Sequence, residues 1–165
     1  MVKLLIEIKV MTPQDSKLIA QIQQLWNPKS NRSGRLIQRF DGVLHYSVTL
    51  SDTCAIAWGP SKNLKIYSEG CLQLHEINLK FTETQSVKYL KKCEVFENIL
   101  ASVAAFHHKW KYGVQGWNCE HWARLVATGH PISYQVKESG FGIFDLFGVL
   151  HDRQEAIEQL NRYKK

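Results

Sequence analysis

Apolar Val2, Leu4, Ile6, Ile8 and Val10 are interleaved with Lys3, Glu7 and Lys9, and this period of two predicts a strand over residues 1–10. The period then changes. Thr12 followed by Pro13 has the form of an N-cap with proline at the first helical position, and Leu18, Ile19, Ile22 and Leu25 mark one face of a helix ending before Asn27-Pro28. The polar, basic segment from Asn27 to Gly34 reads as a loop and a candidate flap. Period two returns at Leu36 to Phe40 and at Gly42 to Leu50. In the second run Val43, His45, Ser47 and Thr49 share one face, while Leu44, Tyr46, Val48 and Leu50 share the other. Short strands are expected at Cys54 to Trp58, Leu64 to Ser68 and Leu72 to Leu79, with turns at Gly59-Pro60 and Glu69-Gly70. Phe81 to Gln85 reads as connecting loop.

Helical spacing follows. Phe96, Ile99, Leu100, Val103 and His107 predict a helix from Glu94 to Trp110, leading through the turn-rich stretch Lys111 to Trp117. Cys119, Trp122, Ala123 and Val126 then recur on one helical face, with Asn118 as N-cap and Gly129 and Pro131 as the stop. An apolar patch, Phe141 to Leu150, precedes a last helix over His151 to Tyr163, where Ala156, Ile157 and Leu160 can pack down. The elements together predict an α+β fold, an antiparallel β-meander packed with helices.

With 165 residues, 44% of them apolar, the chain supports one well-buried domain, 1–165, and no internal repeat or low-complexity run divides it. The formal net charge is +6, and basic residues collect at Lys88, Lys91 and Lys92, at Lys109 and Lys111, and at Arg162, Lys164 and Lys165. Such a surface suits anionic partners, either phospholipid headgroups or nucleic acid. No zinc-knuckle, helix-turn-helix or aromatic-basic signature accompanies it, so nucleic acid is the lesser of the two. Cys54, Cys71, Cys93 and Cys119 are widely spaced without a Cys-x-x-Cys pair, and no secretory leader is apparent, so a reducing cytoplasm is the expected home. No apolar stretch reaches the roughly 18 residues a spanning helix needs. Interrupted by Gly142, Asp145 and Gly148, the patch Phe141 to Leu150 is too short to cross a bilayer. It reads as core, or as a hydrophobic lip on the surface of a membrane to which the protein is peripheral.

Chemistry points to Cys119. A sulfur in the first turn of a helix faces unpaired N–H groups and the positive end of the helix dipole, which favours a thiolate and leaves donors for an oxyanion. Nucleophile and part of an oxyanion hole then come from one helix start. The alternative is that Cys119 serves as a small buried hydrophobe.

The segment Trp117-Asn118-Cys119-Glu120-His121-Trp122-Ala123-Arg124, continuing to Gly129 and to Ser133-Tyr134-Gln135-Val136, resembles the Asn-Cys-Glu-His-Phe box of the lecithin:retinol acyltransferase family, its bacterial members most of all. Upstream, Asp41-Gly42-Val43-Leu44-His45-Tyr46-Ser47-Val48 is similar to the family strand that carries the catalytic base, with Ser47 where Gly is usual. The resemblance covers about residues 40–136, leaving 1–39 and 137–165 as additions. It implies a circularly permuted papain-like fold, Cys119 as nucleophile and His45 as base, with Asn118, Glu120, His121, Trp122 and Tyr46 supporting them. It also implies phospholipids as acyl donors. The family commonly has a second His twelve residues after the first to orient the base, and Ala57 stands there instead. Asp41, Asp52, His75 or Glu76 could take that part if the fold brings one to His45.

No cofactor is implied. His107 and His108, being adjacent, point to different helix faces, and His121 and His130 have no second Cys or His at ligand spacing, so no metal site is expected. Two functions compete: a thiol-dependent acyltransferase or hydrolase acting through a Cys thioester on a lipid or other acyl ester or amide, and a catalytically impaired domain that binds a protein, lipid or nucleic acid.

Overall fold

A computed structural model describes residues 11–61, 67–113, 116–135 and 150–164, and shows an α+β protein. In chain order its elements are α1 (Pro13–Leu25), β1 (Leu36–Phe40), β2 (Leu44–Thr49), β3 (Cys54–Pro60), β4 (Tyr67–Glu76), β5 (Thr82–Glu83), α2 (Lys92–Phe106), β6 (Lys111–Gly113), α3 (Cys119–Thr128) and α4 (Leu150–Arg162). The strands form one antiparallel sheet ordered β5-β1-β2-β3-β4-β6. The expected strand over 1–10, Leu64 to Ile66 of another, and the patch from Phe141 to Val149 lie outside the described residues.

Helix α1 begins as its sequence dictates. Thr12 Oγ1 accepts the Asp15 N–H at 3.1 Å while the Asp15 carboxylate accepts the Thr12 N–H at 3.0 Å, so two otherwise orphaned donors are satisfied reciprocally. Leu18 and Ile22 are the stripe that enters the core. Helix α2 is buried on most of its circumference from Val95 to Phe106, as a helix apolar all round must be. It contacts α1, α3 and α4, and α3 lies across β1, β2 and β3. The face of β2 bearing Tyr46, Val48 and Leu50 is thereby sealed, together with Leu36, Ile56, Trp58 and Leu72 from the neighbouring strands.

Five sequence expectations need correction. Gly59-Pro60 and Glu69-Gly70 are not turns: both pairs lie inside strands, Gly59 opposite Cys71 and Pro60 opposite Gly70. Gly70 is there for space, since a Cβ on it would fall 2.0 Å from the buried Trp58 ring. Strand β4 stops at Glu76 rather than Leu79, and Phe81 to Gln85 includes the two-residue strand β5, which pairs with Ile37 and Gln38. Helix α2 stops at Phe106 rather than Trp110, because His108 takes a left-handed conformation (φ 56°) and the chain turns back into β6 within the stretch read as turn-rich.

Candidate functional site

Helix α3 starts and stops where the sequence places it. Asn118 is extended, and its Oδ1 accepts from the N–H groups of Glu120 at 3.0 Å and His121 at 3.2 Å; Gly129 closes the other end with φ 78°. Among the described residues, the Cys119 N–H has no acceptor, so one donor at this helix start is available to an oxyanion.

The sulfur of Cys119 lies where two strands part. The β2–β3 ladder consists of Val48↔Ile56 and Thr49↔Ala55, whereas β1 stays paired with β2 as far as Leu44. The Thr49 N–H goes to the Arg35 carbonyl just before β1 and the Leu50 N–H to Cys54, so by alternation the main-chain groups of Leu44 and Tyr46 point to the side β3 has left. Cys119 fills that gap. Its Sγ lies 3.9 Å from the Leu44 carbonyl oxygen and accepts from the Tyr46 N–H. It therefore touches the main chain on both sides of His45.

Three further features define the sulfur's surroundings. The Tyr112 hydroxyl donates to it, and burial with the neighbouring sulfur pushes the Tyr112 pKa well up. Cys119 is only 5% exposed, and its own pKa is raised: burial outweighs the Tyr46 and Glu120 N–H groups and the Tyr112 hydroxyl, all of which favour the thiolate. The sequence expectation of a lowered thiol pKa is thus reversed, because helix-end donors cannot offset complete desolvation here. His45 is half-buried and its ring makes no hydrogen bond to Cys119 or to any other described residue. Its pKa is lowered, by burial first and by the Arg39 guanidinium second, with Asp41 opposing. Arg39 and Asp41 themselves pair at 3.7 Å.

Of the groups that could orient His45, Asp41 is the one whose charge it senses. Asp52 is held by the Ser30 hydroxyl at 2.7 Å, and His75 Nε2 is bonded to the Ser47 hydroxyl at 2.9 Å while its ring stacks on Phe81. The Glu76 carbonyl oxygen lies 3.3 Å from His75 Nδ1, at the C-terminal end of β4. Ala57 sits opposite Gln73 on β3.

The remaining box residues are structural. Glu120 is fully buried and its carboxylate accepts from Arg124 Nε at 2.9 Å, Ser133 Oγ at 2.9 Å and the Gln135 N–H at 3.1 Å, pinning residues 133–135 to the first turn of α3. His121 is buried between the Trp117 ring and Arg153, bonded to Asn118 Oδ1 at 3.0 Å, and burial drives its pKa down to about 3. Trp122 is wholly in the core. Tyr46 lies under the Arg124 guanidinium and its pKa is pushed up to about 12, chiefly by burial. Sequence reasoning missed Tyr112, whose aromatic ring in a short segment before the box is the only signal it left. Among the described residues, no group of three or more His, Cys, Asp or Glu is placed to hold a metal ion, and no helix is long and apolar enough to cross a membrane.

No protein-family model matches the chain, and no curated protein matches it. Fold and site define an α+β protein that seats a helix-initial cysteine in the opening of an antiparallel sheet.

Proposed function

We propose that the protein is a thiol-dependent acyltransferase or hydrolase working through a Cys119 thioester, on the circularly permuted papain-like frame that its Asn-Cys-Glu-His box suggests. The observation that carries the reading is the placement of the Cys119 sulfur against the main chain on either side of His45, with a Cys119 N–H that has no acceptor among the described residues.

The chemistry runs in two displacements. As Sγ attacks the acyl carbonyl carbon, the neutral His45 imidazole takes the thiol proton, and the oxyanion is held by the Cys119 N–H. Collapse breaks the bond to the alcohol or amine, which leaves with the proton from the imidazolium. Water, an alcohol or an amine then gives a proton to His45 and attacks the thioester, releasing product and the free thiol. A raised thiol pKa fits a route in which proton loss accompanies attack, and a lowered His45 pKa keeps the base neutral near pH 7. The substrate class is an acyl ester or amide, with phospholipids favoured by the net charge of +6 and a peripheral membrane location by the same charge.

The test is hydrolysis of p-nitrophenyl esters of increasing chain length with acid quench and intact-mass analysis. A hydroxylamine-labile acyl adduct on Cys119, absent from Cys119→Ala, is expected. Turnover that persists in Cys119→Ala contradicts the reading. Burial of the thiol and Ala57 in the second-His position favour an alternative, a domain that retains the frame to bind a partner; absence of any adduct supports it.

A further inference from the structure

A hollow of about 330 Å³ lies between the turn at 85–88 and the C-terminal end of α3, walled by Gln85, Ser86, Lys88, Arg124, His130 and Tyr134. We propose that it binds a phosphate-bearing small molecule. This goes beyond the acyl chemistry above and does not depend on it.

Its electrostatics are one-sided. No carboxylate is among the described lining residues, and Lys88 has no acidic partner among the described residues. The guanidinium of Arg124 is paired through Nε with Glu120 and lies 4.6 Å from the Tyr134 ring centroid, so it forms a fixed wall and, among the described residues, the uncompensated positive charge is that of Lys88. The side chains of Gln85, Ser86 and His130 also lack partners among the described residues, so several hydrogen-bond donors meet there.

Positive groups at a helix C-terminus commonly serve as caps for its last carbonyls. That need is mostly met elsewhere here. Of the last four carbonyls of α3, three are occupied: Leu125 accepts from the Gly129 N–H at 2.9 Å, Val126 from Asn98 Nδ2 at 2.9 Å and Ala127 from the Leu90 N–H at 2.9 Å. Lys88 and His130 are therefore left for something outside the fold. Ser86 holds a left-handed conformation (φ 58°), which a serine adopts at a cost of about 1 kcal/mol or more and which shapes the rim of the hollow. The volume is at the lower end of ordinary ligand sites, roughly 300–1,000 Å³, enough for a phosphate and a small attached moiety. Phosphate is the anion that best matches several separate donors, since its oxygens diverge tetrahedrally, whereas a carboxylate is best served by an Arg fork, and here that Arg faces Glu120.

The experiment is a calorimetric titration of the full chain with inorganic phosphate and with glycerol 3-phosphate, beside co-sedimentation with phosphatidylcholine vesicles carrying phosphatidic acid. Each is repeated with Lys88→Gln, with Lys88→Gln/His130→Gln and with the remote control Lys80→Gln; all three positions are exposed, so folding is not at stake. Saturable binding of the soluble phosphates that weakens about tenfold in Lys88→Gln, further in the double variant and not in the control is the expected result. Lys88-dependent binding confined to vesicles assigns the phosphate to a lipid headgroup and keeps the site. The proposal is overturned by absence of all binding, or by binding that Lys88→Gln leaves unchanged or that Lys80→Gln weakens equally.

Discussion

The residues of the site divide into those that could react and those that hold them. Cys119 and His45 are the reactive pair, and their shifts run in opposite directions: burial raises the thiol, while burial and Arg39 lower the imidazole. A base works only when neutral, so activity should fall as pH drops through the His45 pKa, giving an acid limb of kcat/KM below pH 6.5. Replacing Arg39 with Gln removes a charge that opposes the imidazolium and frees Asp41, so the limb should move to higher pH; a limb that stays or moves lower would show that His45 is not the titrating base. Glu120 belongs to the other group. Its buried carboxylate has three donors, and Glu120→Gln leaves Arg124 facing a neutral amide, a change that should cost about 3 kcal/mol of unfolding free energy in urea titrations. A loss under about 1 kcal/mol would mean that the Glu120 network is dispensable.

At the scale of elements, Gly70 gives the sharpest expectation. A methyl there meets the buried Trp58 ring at a distance no relaxation of a packed indole readily absorbs, so Gly70→Ala should destabilise by about 3 kcal/mol, measured by thermal or urea unfolding. Unchanged stability would place the Trp58 ring elsewhere. The same glycine explains where sequence reading failed. Gly in a chain suggests a turn when only local conformation is weighed, but Gly59 and Pro60 pair with Cys71 and Gly70 across β3 and β4, and Gly70 leaves room for the Trp58 indole from the neighbouring strand, a contact with no local trace. Helix ends that rest on nearest neighbours were legible: Thr12-Pro13-Gln14-Asp15 starts α1, and Asn118 and Gly129 bracket α3. Within the site, the box made Cys119 visible and the period of two placed His45 on the polar face of β2. Tyr112 was hidden because it reaches the sulfur from β6, and the raised thiol pKa was hidden because burial is a property of the whole packing.

Across the whole molecule, acid should act through two buried histidines, His107 against Leu72 of β4 and His121 in the first turn of α3. His107 Nδ1 accepts the Leu72 N–H at 2.9 Å and burial takes its pKa to about 4, and His121 lies at about 3. Both are held neutral in the fold, so they leave stability unaffected above about pH 6.5; as pH falls below that, the unfolded chain takes up protons the folded chain refuses. Stability should drop by roughly 3 kcal/mol from His107 alone between pH 6.5 and 4, and His107→Gln should flatten that part of the profile; an equally steep fall in the variant would contradict the assignment. The central claim concerns the sulfur at the opening between β2 and β3. Its most direct test is the rate of Cys119 acylation by a p-nitrophenyl acyl ester near pH 7.5, with p-nitrophenolate as the leaving group, followed by intact mass, in the unmodified chain, in His45→Ala and in Cys119→Ala. A single adduct that maps to Cys119, is lost in Cys119→Ala and forms at least about 100-fold more slowly in His45→Ala is the predicted result. An adduct rate indifferent to His45, or no adduct at all, would contradict catalysis by this pair.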